Sequence, residues 1–579
     1  MTRTPPRGHA ARAVVPLLVA VVQAVVVLGP ALGRGVAITH DMPWSPDPRW
    51  TAFVLGIDTP APRAVPSDAV AVLLGTVLGA SLAQHLVLLG LLIGLGLGAS
   101  ALVVEVLPRA GTAARCAAVV AAVWNPFVSE RLLVGQWVVI LGLAVLPWTL
   151  RAALRCVRGE RAGHEVLTTL VLGGLGGANS LVLVGGAAVM VLAVGALSER
   201  SWGLARVAAL AALVTAGVGA AWILPSLASS PTSDVAGVHA FGPVADSPVG
   251  VIGSLLGGGG FWNVATHPEP RDQLLIGVAS AAVCAVAVLA LMSSTRGAAR
   301  RCLAGVILVF GAIVLWSAIP AASTSWAALV AGLPGGGLLR DSHKFVGPWV
   351  ICAATGLGVL VQQCLRRIPT GLTGPVVGLL IGLPIVLSPQ LVWGIGGRLD
   401  ATVVPASYRT DIRAVNELPA GDVGLLPWSQ YRRYDWNDSR VSLTLAPRMI
   451  DEVVLYDDSL PLRSGRIGGE SVRAAGVSVA IESGTAPAEA LKDAGVRYVA
   501  AELGTTQDVD VPALRAMGPA VVDSPQWLVV EVATPAASGS TTGAVIVTGW
   551  VVTLLTAMAV GVGTAIAARR RRALLASVP

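Results

Sequence analysis

The chain has 579 residues, 54% of them hydrophobic and only 13% charged, with a mean hydropathy of +0.74. That composition excludes a water-soluble globule and provides for many membrane spans. The net charge of +7 does not point to nucleic acid, because the arginines are dispersed among apolar segments instead of gathered on one polar face.

Apolar runs of roughly 18 residues place about twelve spans, near 13–33, 84–104, 110–124, 138–151, 166–178, 181–197, 207–226, 273–293, 303–320, 346–364, 374–396 and 541–567. The first has the basic flank of a signal peptide, but the run from Arg12 to Arg34 is long enough to span and is read as a retained helix. The intervening segments alternate in charge. One set carries 20 basic and four acidic residues; the other, before residue 398, carries seven basic and ten acidic. The positive-inside rule then puts both termini in the cytoplasm and residues 34–83, 125–137, 227–272, 321–345 and 398–540 outside.

Residues 1–397 are thus expected to form a transmembrane domain of about 11 helices, and 541–579 a closing helix with a basic cytoplasmic tail. Between them, residues 398–540 hold 13 basic and 19 acidic side chains. Alternation in "DVGLLPW", "VRYVAAEL" and "DSPQWLVVEVA", with a helical pattern at "APAEALKDAG", predicts a small extracytoplasmic α/β domain. The expected fold class is an all-α polytopic membrane protein carrying that domain. Six cysteines fall in apolar segments or in short loops on the cytoplasmic side, so no disulfide is expected. There is no P-loop, metal-type Cys/His spacing or G-x-S-x-G.

Polar candidates cluster in the outer loops. "ITHDMPWSPDPRW" follows the first helix with His40, Asp41 and Asp47; such carboxylates suit removal of a proton from a hydroxyl, or binding of a divalent cation, and are also ordinary in outer loops. "VWNPFVSERLLVGQWVV" contributes Glu130, Arg131 and Gln136, either facing substrate or forming a surface turn, with Asn125 and Pro126 opening its helix. Asp246, His267 and Glu269 are the polar groups of the loop 241–273, each readable as structural. "GGGLLRDSHKF" sets Arg340, Asp341, His343 and Lys344 just before a span, Lys344 being one of only two lysines. Basic residues are disfavoured on the outer face, so a lipid-linked phosphate is a reason for them; snorkelling to anionic lipid is the alternative. In a helix, Arg340, His343 and Lys344 would share a face.

Three stretches, "NPFVSERLLVGQWVVILGLAVLPW", "FGPVADSPVGVIGSLLGGGGFWN" and "LLRDSHKF", resemble the large arabinofuranosyltransferases of actinobacterial cell-wall synthesis, within the GT-C superfamily of membrane glycosyltransferases. The resemblance implies inverting transfer of a sugar, arabinofuranose by that likeness, from a polyprenyl-phosphate donor to an envelope glycan or glycolipid on the outer side of the plasma membrane. It implies Asp41 as base, with Asp47 as the other candidate. Arg340, His343, Lys344 and Arg131 would meet the donor phosphate, and His40, Glu130, Gln136, Asp246, His267 and Asp341 the substrates. A divalent cation, Mg or Mn, is a candidate to share the phosphate role; no nucleic-acid partner is expected. Two other readings remain: a transporter or flippase for a polyprenyl-linked glycan, and a non-catalytic envelope scaffold. The spans hold few polar groups for a transport path, chiefly Gln23, His85, Gln362 and Gln363.

Overall fold

The structure, a computed structural model, describes residues 7–57, 62, 64–229, 235–333, 335–462, 465–532 and 543–576. Parts of the expected loops and tail at 58–61, 63, 230–234, 334, 533–542 and 577–579 lie outside the described residues.

Among the described residues, ten helices are long and apolar enough to cross a membrane, or eleven if Trp202–Val218 and Ala220–Ala228, bent by 71°, count as one broken span. The architecture is the expected polytopic helical one, one or two spans below the twelve placed from sequence. The shortfall falls at 166–178: its helix, Gly163–Gly174, has 12 residues, about 18 Å at 1.5 Å per residue, against the ~30 Å of a hydrocarbon core. The expected span 374–396 also ends early. Its helix stops at Leu387, and the chain passes through Pro389–Leu391 into a left-handed turn, with Trp393, Gly394, Ile395 and Gly396 at φ 54° to 67°. Three glycines in "WGIGG" make that turn accessible.

Three spans form the interior of the bundle: Thr112–Leu133, Ser342–Arg367 and Trp137–Val157, buried over 89%, 83% and 78% of their most apolar windows. Thr370–Leu387 and Gly543–Arg570, at 17% and 11%, lie at the periphery. Apolar side chains gain nothing by leaving lipid for each other, so close packing of small residues must hold the inner spans together. Gly356 accordingly lies against the backbone of Ala287, and Gly358 against that of Ala114. Every polar candidate carried by a helix sits on these inner spans.

The α/β region has a five-stranded sheet in the order Ala520–Asp523, Trp527–Glu531, Tyr498–Glu502, Val423–Leu426, Val454–Leu455. Val423–Leu426 runs parallel to both neighbours and the other pairs are antiparallel. The segments read as strands and helix from sequence form those elements, the helix being Pro487–Asp493. The aromatic stretch 427–438 turns inward: Tyr434 is fully buried and stacks on Trp436 at 4.5 Å. Arg432 there pairs at 2.5 Å with buried Glu502, which also accepts from Tyr408 at 2.7 Å and Tyr434 at 3.0 Å. Buried charge persists only when its hydrogen-bonding capacity is met.

Candidate active site

The loop after the first span is clamped from two sides. On one, Thr39 Oγ1 donates to Leu133 O (2.9 Å) and Asp41 N to Val134 O (2.8 Å). On the other, His40 N donates to Val441 O (2.7 Å) and its carbonyl accepts from Leu443 N (2.8 Å), while Val36 and Ala37 pair with Thr402 and Ala401. Asp41 is thereby fixed between the 131–137 turn and the α/β region. Gly135 permits the approach: its φ is +77°, and a Cβ there would stand 2.6 Å from Met42 Cβ and 2.9 Å from Thr39 O.

The helix Pro126–Leu133 begins as expected, with Asn125 Oδ1 accepting from Val128 N at 3.0 Å. The surface-turn reading does not hold, because Glu130 and Arg131 are both fully buried. Arg131 is the hub. Its guanidinium forks onto Asp341, with Nη1 to Oδ2 at 2.6 Å and Nη2 to Oδ1 at 3.1 Å, the planar two-point geometry arginine offers a carboxylate. Nη1 also donates to Gln136 Oε1, and Gln136 Nε2 donates to Asp41 Oδ2 at 2.8 Å. Three hydrogen bonds therefore connect Asp41 to Asp341. Phe261 stacks on the guanidinium with its ring centroid 4.3 Å from Cζ.

Arg131 Nη2 lies 3.0 Å from His343 Nδ1, and His343 Nε2 lies 3.1 Å from Gly259 O. A guanidinium only donates and a carbonyl only accepts, so these partners assign His343 as the neutral Nε2–H tautomer. Lys344 is buried, donating to Asn179 Oδ1 at 2.8 Å and to Leu338 O. Arg340 lies over Phe241, its Cζ 4.3 Å from the ring centroid. The expected common face of Arg340, His343 and Lys344 does not form. The stretch is two 3-10 turns, Gly336–Leu339 and Ser342–Val346, interrupted at Asp341 (ψ 80°), and the three side chains diverge.

Asp246 forms a separate, fully buried pair with Arg271 (2.7 and 2.9 Å) and accepts from Gly260 N at 3.0 Å. Gly259 lies against this pair, so any side chain there would strike the Asp246 carboxylate. Glu130 Oε2 stands 3.7 Å from His343 Nε2, and neither of its oxygens has a hydrogen-bond partner. His267 Nε2 meets Phe261 O at 2.6 Å. Asp47 lies outside the network, 3.2 Å from Arg413. Residues missed by sequence reasoning are Asn179, Arg271, Phe127 and Phe261; Asn179 had a signal, as the polar break between two apolar runs, whereas the others have none without their partners.

Burial raises the Asp41 carboxyl above its ordinary value, against the Gln136 hydrogen bond and the charges of His40 and Arg131. For Asp341, burial is outweighed by the Arg131 charge and hydrogen bonds, which lower it. The two carboxyls are driven apart, the pattern expected where one is to exchange protons and the other to stay charged. Among the described residues no group of three His, Cys, Asp or Glu side chains converges as a cation site.

Two cleft-like spaces adjoin this network. One, of about 440 Å³ counting its open mouth, is lined by Asp41, Trp44, Asp68, Trp137 and Arg448, among others. The other, of about 510 Å³ and mostly apolar, lies between Thr112–Leu133, Leu274–Ser294, Ser342–Arg367 and Thr370–Leu387, and reaches Gly257 and Gly258 beside the His343 partner Gly259.

The bundle, the clamped aspartate and the α/β region together are a polytopic membrane fold of GT-C type. Among solved structures, arabinofuranosyltransferase AftD from Mycobacteria shares it with a TM-score of 0.57 at 15% identity, covering 92% of this chain and 40% of that one. An arginine-to-serine variant of that enzyme matches in two classes, with TM-scores of 0.56 (16% identity, 93% and 42% covered) and 0.54 (15%, 89% and 41%). The chain spans about two fifths of that protein's length, and at this identity the likeness is one of fold. No protein-family model and no curated protein matches the chain.

Proposed function

We propose that the chain is an inverting membrane glycosyltransferase, transferring a sugar from a polyprenyl-phosphate donor to a glycan or glycolipid acceptor at the outer face of the membrane, with both termini cytoplasmic. The observation that carries this is the unbroken path Asp41–Gln136–Arg131–Asp341, which joins a carboxyl of raised proton affinity to the stretch that supplies the cations. Asp41 takes the proton of the acceptor hydroxyl as its oxygen bonds to the anomeric carbon. The anomeric C–O bond to phosphate breaks, and the polyprenyl phosphate leaves with the electron pair. Gln136 holds the carboxylate in place. Arg340 and Lys344 are the cations proposed to meet the leaving phosphate, where fixed positive charge stabilises the transition state; Arg131, committed to Asp341 and Gln136, positions. The apolar cleft beside Gly257 and Gly258 suits a polyprenyl chain, bringing its phosphate to the polar network. Arabinofuranose is the sugar proposed first, on the motif likeness and the name of the fold neighbour.

The test is transfer in membranes from radiolabelled polyprenyl-phosphoryl arabinose, mannose and other lipid-linked sugars, comparing wild type with Asp41→Asn and Lys344→Ala. Transfer by wild type and a loss of about 10²-fold or more in Asp41→Asn is expected. No transfer from any donor would sink the reading.

A further inference from the structure

The cleft beside Asp41 has walls from two parts of the chain. Trp44 and Asp41 come from the first loop, Asp68 and Ala71 from the helix Ser67–Leu78, Trp137 from the start of an inner span, and Arg448 from the α/β region. Arg448 Nε reaches Asp68 Oδ2 at 2.7 Å, with side-chain exposures of 12% and 17%. Its guanidinium also lies over Phe53, Cζ 4.6 Å from the ring centroid. The wall is held in place by Thr51 Oγ1 donating to Pro447 O at 2.9 Å and by Arg49 forked onto Asp451 at 2.9 and 2.5 Å. Trp44 and Trp137 pack edge to face, 5.9 Å between centroids.

The cleft's size is within the range of small-molecule sites. Its chemistry is that of a neutral polyol: indole surfaces for the C–H face of a sugar ring, and a carboxylate and a guanidinium to accept from and donate to hydroxyls. Because Asp68 and Arg448 neutralise each other, the cleft offers no net charge to a phosphate. That separates it from the donor side, where the basic residues gather. It lies on the side of Asp41 from which a hydroxyl is to be deprotonated.

We propose that this cleft is the acceptor-sugar subsite, and that Asp68 and Arg448 determine which neutral glycan acceptor is taken, the α/β region contributing specificity through Arg448. The proposal rests on the transferase reading above.

It is tested with full-length protein in nanodiscs, the lipid-linked sugar found active in the donor panel, and octyl furanosides and pyranosides as acceptors. Arg448→Ala and Asp68→Asn are expected to raise the acceptor KM about tenfold and to leave the donor KM within twofold of wild type, with Arg448→Lys recovering part of the loss. Ala71→Trp fills the cleft without touching the ion pair; it is expected to act in the same direction and serves if Arg448→Ala does not fold. Unchanged acceptor KM across the folded variants overturns the proposal, and so does a rise in donor KM, which would give the cleft to the donor. Saturation-transfer NMR from protein to octyl glycoside, without donor, separates the two claims. Signal lost in Ala71→Trp but kept in Asp41→Asn supports the subsite even if no transfer is found; wild-type transfer with signal unaffected by Ala71→Trp defeats the subsite alone.

Discussion

Asp41 has to lose a proton to act as a base, and its burial makes that harder than for an ordinary carboxyl. Activity should therefore rise with pH through a midpoint above the usual carboxylate value. Gln136→Leu removes the hydrogen bond that favours the charged form, so the acid limb of kcat/KM against pH should move further up; an unmoved limb would separate Asp41 from the base role. The stability consequence has the opposite sign. A carboxyl with folded proton affinity above its unfolded value binds more protons when folded, so its contribution falls as pH rises above the unfolded value. Asp41→Asn should then unfold at no lower temperature than wild type near neutral pH while losing turnover. Lys344 gives a third residue-scale test. Its ammonium fits between Asn179 Oδ1 and Leu338 O in a buried site, and Lys344→Arg places a larger planar group there. Transfer should fall at least tenfold if that compact fit is required, read in the same membrane assay.

Among the elements, the loop after the first span and the 131–137 turn depend on each other through Gly135. Gly135→Ala places a methyl against Met42 and Thr39 at a positive φ, and should lower both the unfolding temperature and kcat by displacing Asp41. The Arg131–Asp341 pair joins the inner span Thr112–Leu133 to the turn before Ser342–Arg367. Removing Asp341 leaves a fully buried guanidinium short of its carboxylate, a cost of about 3–5 kcal/mol, so Asp341→Ala should show a marked drop in thermal stability in nanodiscs, and Asp341→Asn a smaller one. The elements also show what sequence could resolve. Long apolar runs were legible because a span must satisfy its own backbone, and Asp41, Gln136, Arg131 and Asp341 were found because charge is rare in this chain. The fork of Arg131 onto Asp341 was not legible: the two are brought together by packing of separate spans, and no local spacing records it. The short helix Gly163–Gly174 was misread for a related reason, since apolar content does not distinguish a span from a helix that stops halfway.

For the whole molecule, the α/β region and the bundle meet at the aspartate loop. Val36 and Ala37 pair with Thr402 and Ala401, Asn437 Nδ2 donates to Ile38 O at 3.2 Å, and His40 is bonded to Val441 and Leu443. A protein that uses residues 398–540 only to bind partners would not need them there. Ending the chain at residue 397 should leave the spans inserted, as protease protection would show, yet abolish transfer. The strand pairs also impose an order on synthesis. The Asp41 loop leaves the ribosome near the start, but the strands that clamp it follow only after most of the spans. The catalytic loop therefore waits, unclamped, for the far end of the chain, and the molecule becomes competent only once nearly all of it has been made and threaded: the closing of that seam is a completion signal built into the chain.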